Sequence, residues 1–182
     1  MTTALLIVDI QNDYFPGGKM ELVGSPEAAA EAARLLEAFR AKRLPVIHMQ
    51  HVSLRPGATF FLPDTEGAKI HESVAPREGE TVFVKHFPNS FRDTPLLEHL
   101  KGAGIDKVVI AGMMTHMCID TTTRAAADRG FDCVLAHDAC ATRDLAFGGT
   151  KVPAAEVQAA FVAALNGAFA KAMGAREITA ST

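Results

Sequence analysis

The chain has 182 residues, of which 48% are hydrophobic, and it carries a formal net charge of −3 at pH 7. A chain of this size and composition is expected to fold as one domain, over residues 1–182, with a substantial core. Because it is slightly acidic and has no pronounced run of lysine and arginine, neither nucleic acid nor a membrane surface is expected as a partner. It also lacks the run of about 20 apolar residues that a membrane-spanning helix needs.

The three cysteines, Cys118, Cys133 and Cys140, indicate a reducing environment. Their number is odd and they form no Cys-x-x-Cys, which argues against a disulfide framework. The chain does not open with a basic segment followed by an apolar one, as a signal peptide would. We therefore expect a cytoplasmic protein in which Cys133 and Cys140 have structural roles.

The first predicted element is a strand at residues 4–8. Its continuous apolar run is typical of a parallel strand that is covered on both faces, and it stops at Asp9. A helix follows, with Ser25 as its N-cap and Pro26 at its first position. The apolar stripe of this helix consists of Ala28, Ala32, Leu35, Leu36 and Phe39.

Strands and helices alternate along the rest of the chain. Strands are predicted at residues 45–50, 81–84, 107–111 and 132–136, with a short sixth strand near 176–178. Helices are predicted at residues 94–101, from Cys118 to Gly130, and from Pro153 onwards. Repeated βα units with apolar strands predict an α/β fold of three layers, α/β/α, around a mainly parallel sheet of five to six strands.

Three residues with chemical potential follow predicted strands. Cys118 lies in the first turn of the helix that comes after strand 107–111, where free backbone N–H groups and the helix dipole favour a thiolate. Asp9 and Lys85 each end another strand. Since ligands bind outside the carboxyl ends of the strands in such sheets, the three side chains are expected to converge. The alternatives are a structural ion pair between Asp9 and Lys85 and a cysteine that is merely buried.

The motifs around these residues resemble those of a known family. The segment Asp9-Ile-Gln-Asn-Asp13, the strand-end Lys85 and the segment Gly112-Met-Met-Thr-His-Met-Cys118 are similar to the signature of the isochorismatase-like cysteine hydrolases. That family includes nicotinamidases and other small amidases. The resemblance runs from about Leu5 to residues 138–144 and extends to the final helix, so it covers nearly the whole chain.

The resemblance implies roles for particular residues. Asp9, Lys85 and Cys118 would be the catalytic triad, the peptide between Met113 and Met114 would be cis, and the N–H groups of Met114 and Cys118 would form the oxyanion hole. It also implies a homo-oligomer, with dimers and tetramers both common among relatives.

The predicted chemistry is cysteine-dependent cleavage of an amide-type C–N bond in a small molecule, through a thioester. Asp9 would act first as base and then as acid. One alternative is vinyl-ether hydrolysis of the isochorismatase type, which protonates a carbon atom and has no evident need of a thiol. The other alternative is a binding protein without catalytic activity.

Two long loops, one before Gly79 and one after the strand 132–136, are expected to determine the substrate. Phenylalanines are the candidates for apolar pocket walls: Phe15, Phe60, Phe87, Phe91 and Phe147. Asn12 and His116 are the candidate polar contacts. For each of these residues the alternative is packing in the core, or a subunit contact in the case of Phe60.

Clustered histidines raise the alternative of a metal site, with His48, His51, His71 and His86 as possible ligands. By resemblance, nicotinamidases bind a metal through an Asp two residues before a strand-end His and a second His six residues after it. With His51 as the middle ligand, those two places hold Met49 and Gly57. Neither suits such a cation, so no metal, no other cofactor and no nicotinamidase activity is expected.

Overall fold

The computed structural model describes residues 2–181 and contains a central sheet of six parallel strands in the order β3-β2-β1-β4-β5-β8. The strands are β1 (Thr2–Val8), β2 (Val46–His51), β3 (Thr81–Lys85), β4 (Ile105–Met113), β5 (Asp132–Ala141) and β8 (Lys171–Met173), with β6 (Leu145–Phe147) and β7 (Thr150–Val152) forming a separate antiparallel hairpin. The helices are α1 (Ser25–Ala41), α2 (Leu96–Gly102), α3 (Asp120–Ala127), α4 (Ala154–Leu165) and α5 (Ala175–Ser181).

The sheet is covered by helices on both faces, which confirms the predicted three-layer architecture. Alternate residues of β1 belong to two separate buried clusters, with Leu5 and Ile7 on one face and Leu6 and Val8 on the other. Residues of α1 and α5 pack on the first face, and residues of α2, α3 and α4 pack on the second. This two-sided burial explains why the first strand is apolar at every position.

Helix α1 has the predicted buried stripe, since all five of its expected apolar residues are at most 3% exposed. Its start differs by one residue. Gly24 is the N-cap, with a φ of 74°, and Ser25 is already helical and donates its hydroxyl to the carbonyl of Leu22. A left-handed residue at the cap is easier for glycine than for serine.

The C-terminal part corrects two expectations. The sixth strand lies at Lys171–Met173, and residues 176–178 belong to helix α5 instead. The edge strand is only three residues long and has no β-branched residue, so its sequence carries little strand signal. The second long loop, expected to be irregular, contains the hairpin of β6 and β7.

The chain runs outwards from β1 to β2 and β3 and then returns to β4 on the other side of β1. The order of the sheet therefore reverses between β1 and β4, the place where ligands bind in open α/β sheets. Gly112 in β4 has a φ of 138°, and a Cβ atom there would overlap the carbonyl oxygen of Val8 in β1. Only glycine lets the two strands approach this closely at the reversal point. Within residues 2–181, no helix combines the length and hydropathy required to cross a membrane.

Candidate active site

The carboxyl ends of β1, β3 and β4 bring Asp9, Lys85 and Cys118 together. Lys85 Nζ lies 2.7 Å from Asp9 Oδ2 and 3.4 Å from Cys118 Sγ. The side chains of Asp9 and Lys85 are fully buried, and Cys118 is 5% exposed. Because β3 is an edge strand and β2 lies between it and β1, a side chain as long as lysine suits the distance to be crossed.

The Lys85 ammonium has four contacts for its three N–H groups. Besides Asp9 and Cys118, it contacts the carbonyl oxygen of Phe87 at 3.0 Å and His51 Nδ1 at 3.0 Å. Burial alone would lower the pKa of Lys85, but the Asp9 charge and the contact with Cys118 outweigh that effect and raise the pKa above its usual value. Lys85 is therefore a permanent cation beside the sulfur.

The Cys118 thiol differs from the expectation drawn from its place near a helix start. Burial raises the pKa of Cys118 well above its ordinary value, the Asp9 charge raises it further, and Lys85 opposes both. The residue lies in a π-helical turn, Thr115–Ile119, that precedes α3. The resting group is thus a thiol rather than a thiolate, and a neighbouring base is needed to activate it.

Asp9 is placed to be that base. Oxygen, nitrogen and sulfur atoms of Asp9, His51 and Cys118 lie within 4.8 Å of one another. Within residues 2–181 no backbone N–H donates to the Asp9 carboxylate. Asp9 also adopts the left-handed region, with a φ of 53°, which is uncommon for a residue other than glycine and occurs preferentially at functional sites.

The turn that carries Cys118 has a distinctive backbone. The peptide between Met113 and Met114 is cis. The carbonyl oxygen of Met114 accepts from the N–H groups of Met117 at 3.0 Å and Ile119 at 3.2 Å, which closes the π-helical turn around Cys118. Met114 and Cys118 both line the same cavity.

This cavity has a volume of about 650 Å³, which is within the range of small-molecule sites. Its walls are mostly apolar, and its polar lining residues are concentrated at the ends of β2 and β3 and the loop after β2. The lining residues are Tyr14, His51, Ser53, Leu54, Arg55, Ala58, Phe60, Phe61, His86, Phe87, Pro88, Met114, Met117 and Cys118.

Two of the predicted substrate contacts, Phe60 and Phe87, line the cavity. The other predicted contacts lie outside this lining, where the structure gives them other partners. Asn12 donates to the carbonyl of Glu66 at 2.9 Å, and Phe15 stacks on His71 with ring centroids 3.6 Å apart.

The remaining three are held on other elements. Phe91 is buried among the residues of α2 and α3 and stacks on Phe131. His116 Nδ1 lies 2.6 Å from Thr142 Oγ1, which turns the ring towards β5. Phe147 is 91% exposed on the β6–β7 hairpin.

Sequence reasoning missed the residues that hold the cavity wall in place. Asp13 Oδ2 accepts from the N–H of Phe61 at 2.7 Å, which ties the loop after β2 to the end of β1. The loop residue Gly67 packs so closely on Asp13 that any Cβ atom there would collide with the carboxylate. The polar residues of the segment after β1 therefore shape the cavity by binding backbone rather than by contacting substrate.

The metal ligands implied by nicotinamidase-like relatives do not fit this site. Met49 is 1% exposed within the core, and Gly57 lies in an exposed turn. His48 Nε2 contacts Glu80 Oε2 at 2.9 Å and, as the strand spacing predicts, lies on the opposite face from His51. Asp9, His51 and Cys118 are the three possible metal ligands that lie near one another. All three contact the Lys85 ammonium, which takes the place that a metal cation would need.

These features define an α/β protein in which a buried cysteine, carboxylate and ammonium meet at the reversal point of a parallel sheet. The isochorismatase domain model matches residues 3–177, and the chain therefore belongs to the isochorismatase family of hydrolases.

Individual relatives agree with this assignment. The chain is 54% identical to the uncharacterised isochorismatase family protein YddQ of Bacillus subtilis over 93% of this chain and 94% of that protein. A protein from Oleispira antarctica, assigned provisionally as an isochorismatase hydrolase, has a crystal structure that superposes on this one with a TM-score of 0.95. The two chains are 55% identical, and the match covers 98% of this chain and 96% of that one. Maleamate amidohydrolase of Pseudomonas putida is 30% identical over 77% of this chain and 72% of the enzyme.

Proposed function

We propose that the protein hydrolyses an amide-type C–N bond of a small molecule through a thioester on Cys118. The observation that carries this proposal is the contact of Lys85 Nζ with both Asp9 Oδ2 and Cys118 Sγ in a cavity of small-molecule size. A base and a nucleophile that both contact one cation are the parts that acyl transfer requires. The relative that acts on maleamate is an amidohydrolase, which supports the same bond type.

The first half of the reaction forms the thioester. Asp9 removes the proton of the Cys118 thiol, and the Lys85 ammonium stabilises the thiolate as it forms. The sulfur then adds to the substrate carbonyl. The resulting oxyanion is met by the N–H groups of Met114 and Cys118, a kind of contact whose loss typically costs about 3 to 4 kcal/mol.

The second half releases the products. Asp9, now protonated, gives its proton to the departing nitrogen, so that the C–N bond breaks and ammonia or an amine leaves. Asp9 then takes a proton from water, whose oxygen attacks the thioester carbon. Collapse of that intermediate breaks the C–S bond, returns the proton to Cys118 and frees the carboxylic acid.

The same proposal extends to the setting of the enzyme. We infer a single catalytic domain in the cytoplasm, and the three free cysteines are in keeping with a reducing compartment. A homo-oligomer, dimer or tetramer, follows only from the family resemblance and is tested by its mass in solution.

A panel of small primary amides, carbamoyl compounds and lactams tests the proposed bond type. We expect at least one compound to release ammonia or an amine with wild-type protein and not with Cys118→Ala. His137→Gln is the control, because His137 is exposed and does not line the cavity. Cleavage of the vinyl ether isochorismate by Cys118→Ala, with no release of ammonia or amine from any compound, would favour the alternative chemistry.

A further inference from the structure

The contact between His51 and Lys85 fixes where the imidazole carries its proton. His51 ends β2 and Lys85 ends β3, and the two residues are direct partners in the parallel register. Lys85 Nζ lies 3.0 Å from His51 Nδ1. An ammonium group can only donate, so Nδ1 must accept and carries no proton.

The imidazole is also neutral under ordinary conditions. Burial lowers the pKa of His51 to about 4, and the positive charge of Lys85 adds to that effect, while Asp9 opposes it. A neutral ring with a bare Nδ1 has its one proton on Nε2. The neighbouring cation therefore selects a single tautomer, in which Nε2 is a hydrogen-bond donor.

This donor has no partner among the described residues, and it belongs to a residue that lines the cavity. Within residues 2–181, the ring makes one hydrogen bond, to Lys85, and Nε2 makes none. His51 is half-buried and lines the cavity together with Cys118. A donor that is free in a mostly apolar pocket is most stable when a ligand supplies an acceptor.

The backbone of His51 is fixed as firmly as its ring. The side chain of Gln11 accepts from the His51 N–H at 2.7 Å and donates to the His51 carbonyl at 2.9 Å. Gln11 also donates to the carbonyl of Ala68 at 2.7 Å and is fully buried. His51 is thus held at both main-chain groups and at Nδ1, which leaves Nε2–H as a preorganised group of the pocket.

We propose that His51 is a substrate-contacting residue whose Nε2–H donates to an acceptor atom next to the scissile C–N bond. The inference rests on the proposed function and narrows its substrate class. The remaining walls are mainly aromatic and aliphatic, with Tyr14, Phe60 and Phe87 among them. The substrate is then a small acylated compound with an apolar body and a carbonyl oxygen or ring nitrogen turned towards the end of β2.

A purely structural role for His51 makes a different prediction. If His51 serves only to hold Lys85, what matters is the acceptor at Nδ1. Asparagine places its amide group near the position of Nδ1 and can retain that acceptor, whereas glutamine places its amide nitrogen near the position of Nε2 and can retain the donor. His51→Asn and His51→Gln therefore separate the two roles.

The rate at which Cys118 is alkylated distinguishes these two roles of His51 without a known substrate. The probes are iodoacetamide, which has an acceptor carbonyl, and allyl iodide, which has none; their rate ratio cancels changes in thiol reactivity. We expect the ratio of the iodoacetamide rate to the allyl iodide rate to fall about tenfold or more in His51→Asn, as for the loss of one hydrogen bond to a bound group. In His51→Gln and in the control His137→Gln, the ratio should stay within about threefold of wild type. A ratio kept in His51→Asn and lost in His51→Gln, or one that changes equally in both, would overturn the assignment.

Nitrogen-15 NMR of the wild-type imidazole gives an answer that depends on no variant. The expected spectrum shows His51 Nε2 protonated and Nδ1 bare around neutral pH, and a proton on Nδ1 or on both nitrogens would refute the proposal. Neither measurement requires turnover. Absence of amide hydrolysis would thus reject the proposed function, while the alkylation ratios and the tautomer would still decide the role of His51.

Discussion

Asp9 Oδ2 and Lys85 Nζ lie 2.7 Å apart, and both side chains are completely buried. Each charge is tolerated in the interior because the other is present. Lys85 has further acceptors in Phe87 and His51, whereas the Asp9 carboxylate receives no backbone N–H within residues 2–181. The two members of the pair should therefore respond differently to removal of the partner.

Replacing Lys85 with methionine should destabilise the fold strongly. The substitution leaves the Asp9 carboxylate buried without a cation, which typically costs about 3 to 5 kcal/mol. Denaturant unfolding measures the loss, and Lys69→Met is the control, because Lys69 is exposed and its ammonium pairs only with Glu66 among residues 2–181. The double variant Asp9→Asn/Lys85→Met should regain part of the stability. Additive losses in the double variant would mean that the pair is not coupled.

Asp9→Asn should keep the fold and abolish turnover. Lys85 still has the Phe87 carbonyl and His51 Nδ1 as acceptors, while the amide has no basic oxygen that can take the proton of Cys118. We expect a loss of several orders of magnitude in kcat on any amide that the wild type hydrolyses. Asp132→Asn, at a half-exposed ion pair with Lys107, is the matched control. A folded Asp9→Asn protein with near-normal kcat would disprove the role of Asp9.

Cys118 should be the first cysteine to react with iodoacetamide, and its reaction should accelerate as the pH rises. Burial raises the pKa of all three thiols, that of Cys133 and of Cys140 each to about 12. Only Cys118 has a neighbouring ammonium among the described residues, whereas Cys133 and Cys140 donate to the carbonyls of Phe131 and Ala136.

Because the pKa of Cys118 is raised, its thiolate fraction near pH 7 is smaller than that of free cysteine and grows with pH. Peptide mapping at several pH values checks both the order and the trend, and earlier labelling of Cys140 would contradict them.

The partly buried carboxylate of Glu80 should make the free energy of unfolding depend on pH in the acidic range. Burial would raise its pKa, but hydrogen bonds from Arg40, the Arg77 N–H and His48 lower it to about 2. A depressed pKa gives stabilisation that is complete above the unfolded-state value near 4.5 and is lost as the pH falls towards 2.

Glu80→Gln should therefore reduce the free energy of unfolding at pH 7 by about 2 to 3 kcal/mol, with the difference shrinking between pH 5 and pH 2. Urea unfolding across this range measures it, and Glu66→Gln, at an 80% exposed side chain, is the control. A difference that stays constant down to pH 2 would show that the carboxylate charge is not responsible.

Convergence of Asp9, Lys85 and Cys118 could be predicted from sequence because each follows an apolar strand. In a parallel sheet those positions share one edge, whatever the intervening loops do. The same rule places His51 at the end of β2, but sequence alone assigned it only to a possible metal site. Its contact with Lys85 depends on the register of β2 and β3, which the apolar pattern of the two strands does not reveal.

The pocket walls could not be predicted in the same way. Phe60 and Phe61 lie on a loop whose path is set by long-range hydrogen bonds, in which Asp13 accepts from the Phe61 N–H and Gln11 donates to the carbonyl of Ala68, and no local pattern encodes such bonds. Phe91 looked equally suitable by residue type, yet it packs beneath the sheet in the cluster formed with α2 and α3. Residue type indicated an aromatic pocket, while tertiary contacts decided which rings form it.

Intact-mass spectrometry of rapidly quenched enzyme tests the central claim most directly. During turnover of an amide identified by ammonia or amine release, the wild-type protein should carry the mass of the acyl group on Cys118, because C–N cleavage precedes hydrolysis of the thioester. Cys118→Ala should show neither the adduct nor turnover. Turnover that persists in Cys118→Ala, or an acyl group that maps to Cys133 or Cys140, would contradict the assignment of Cys118 as the nucleophile.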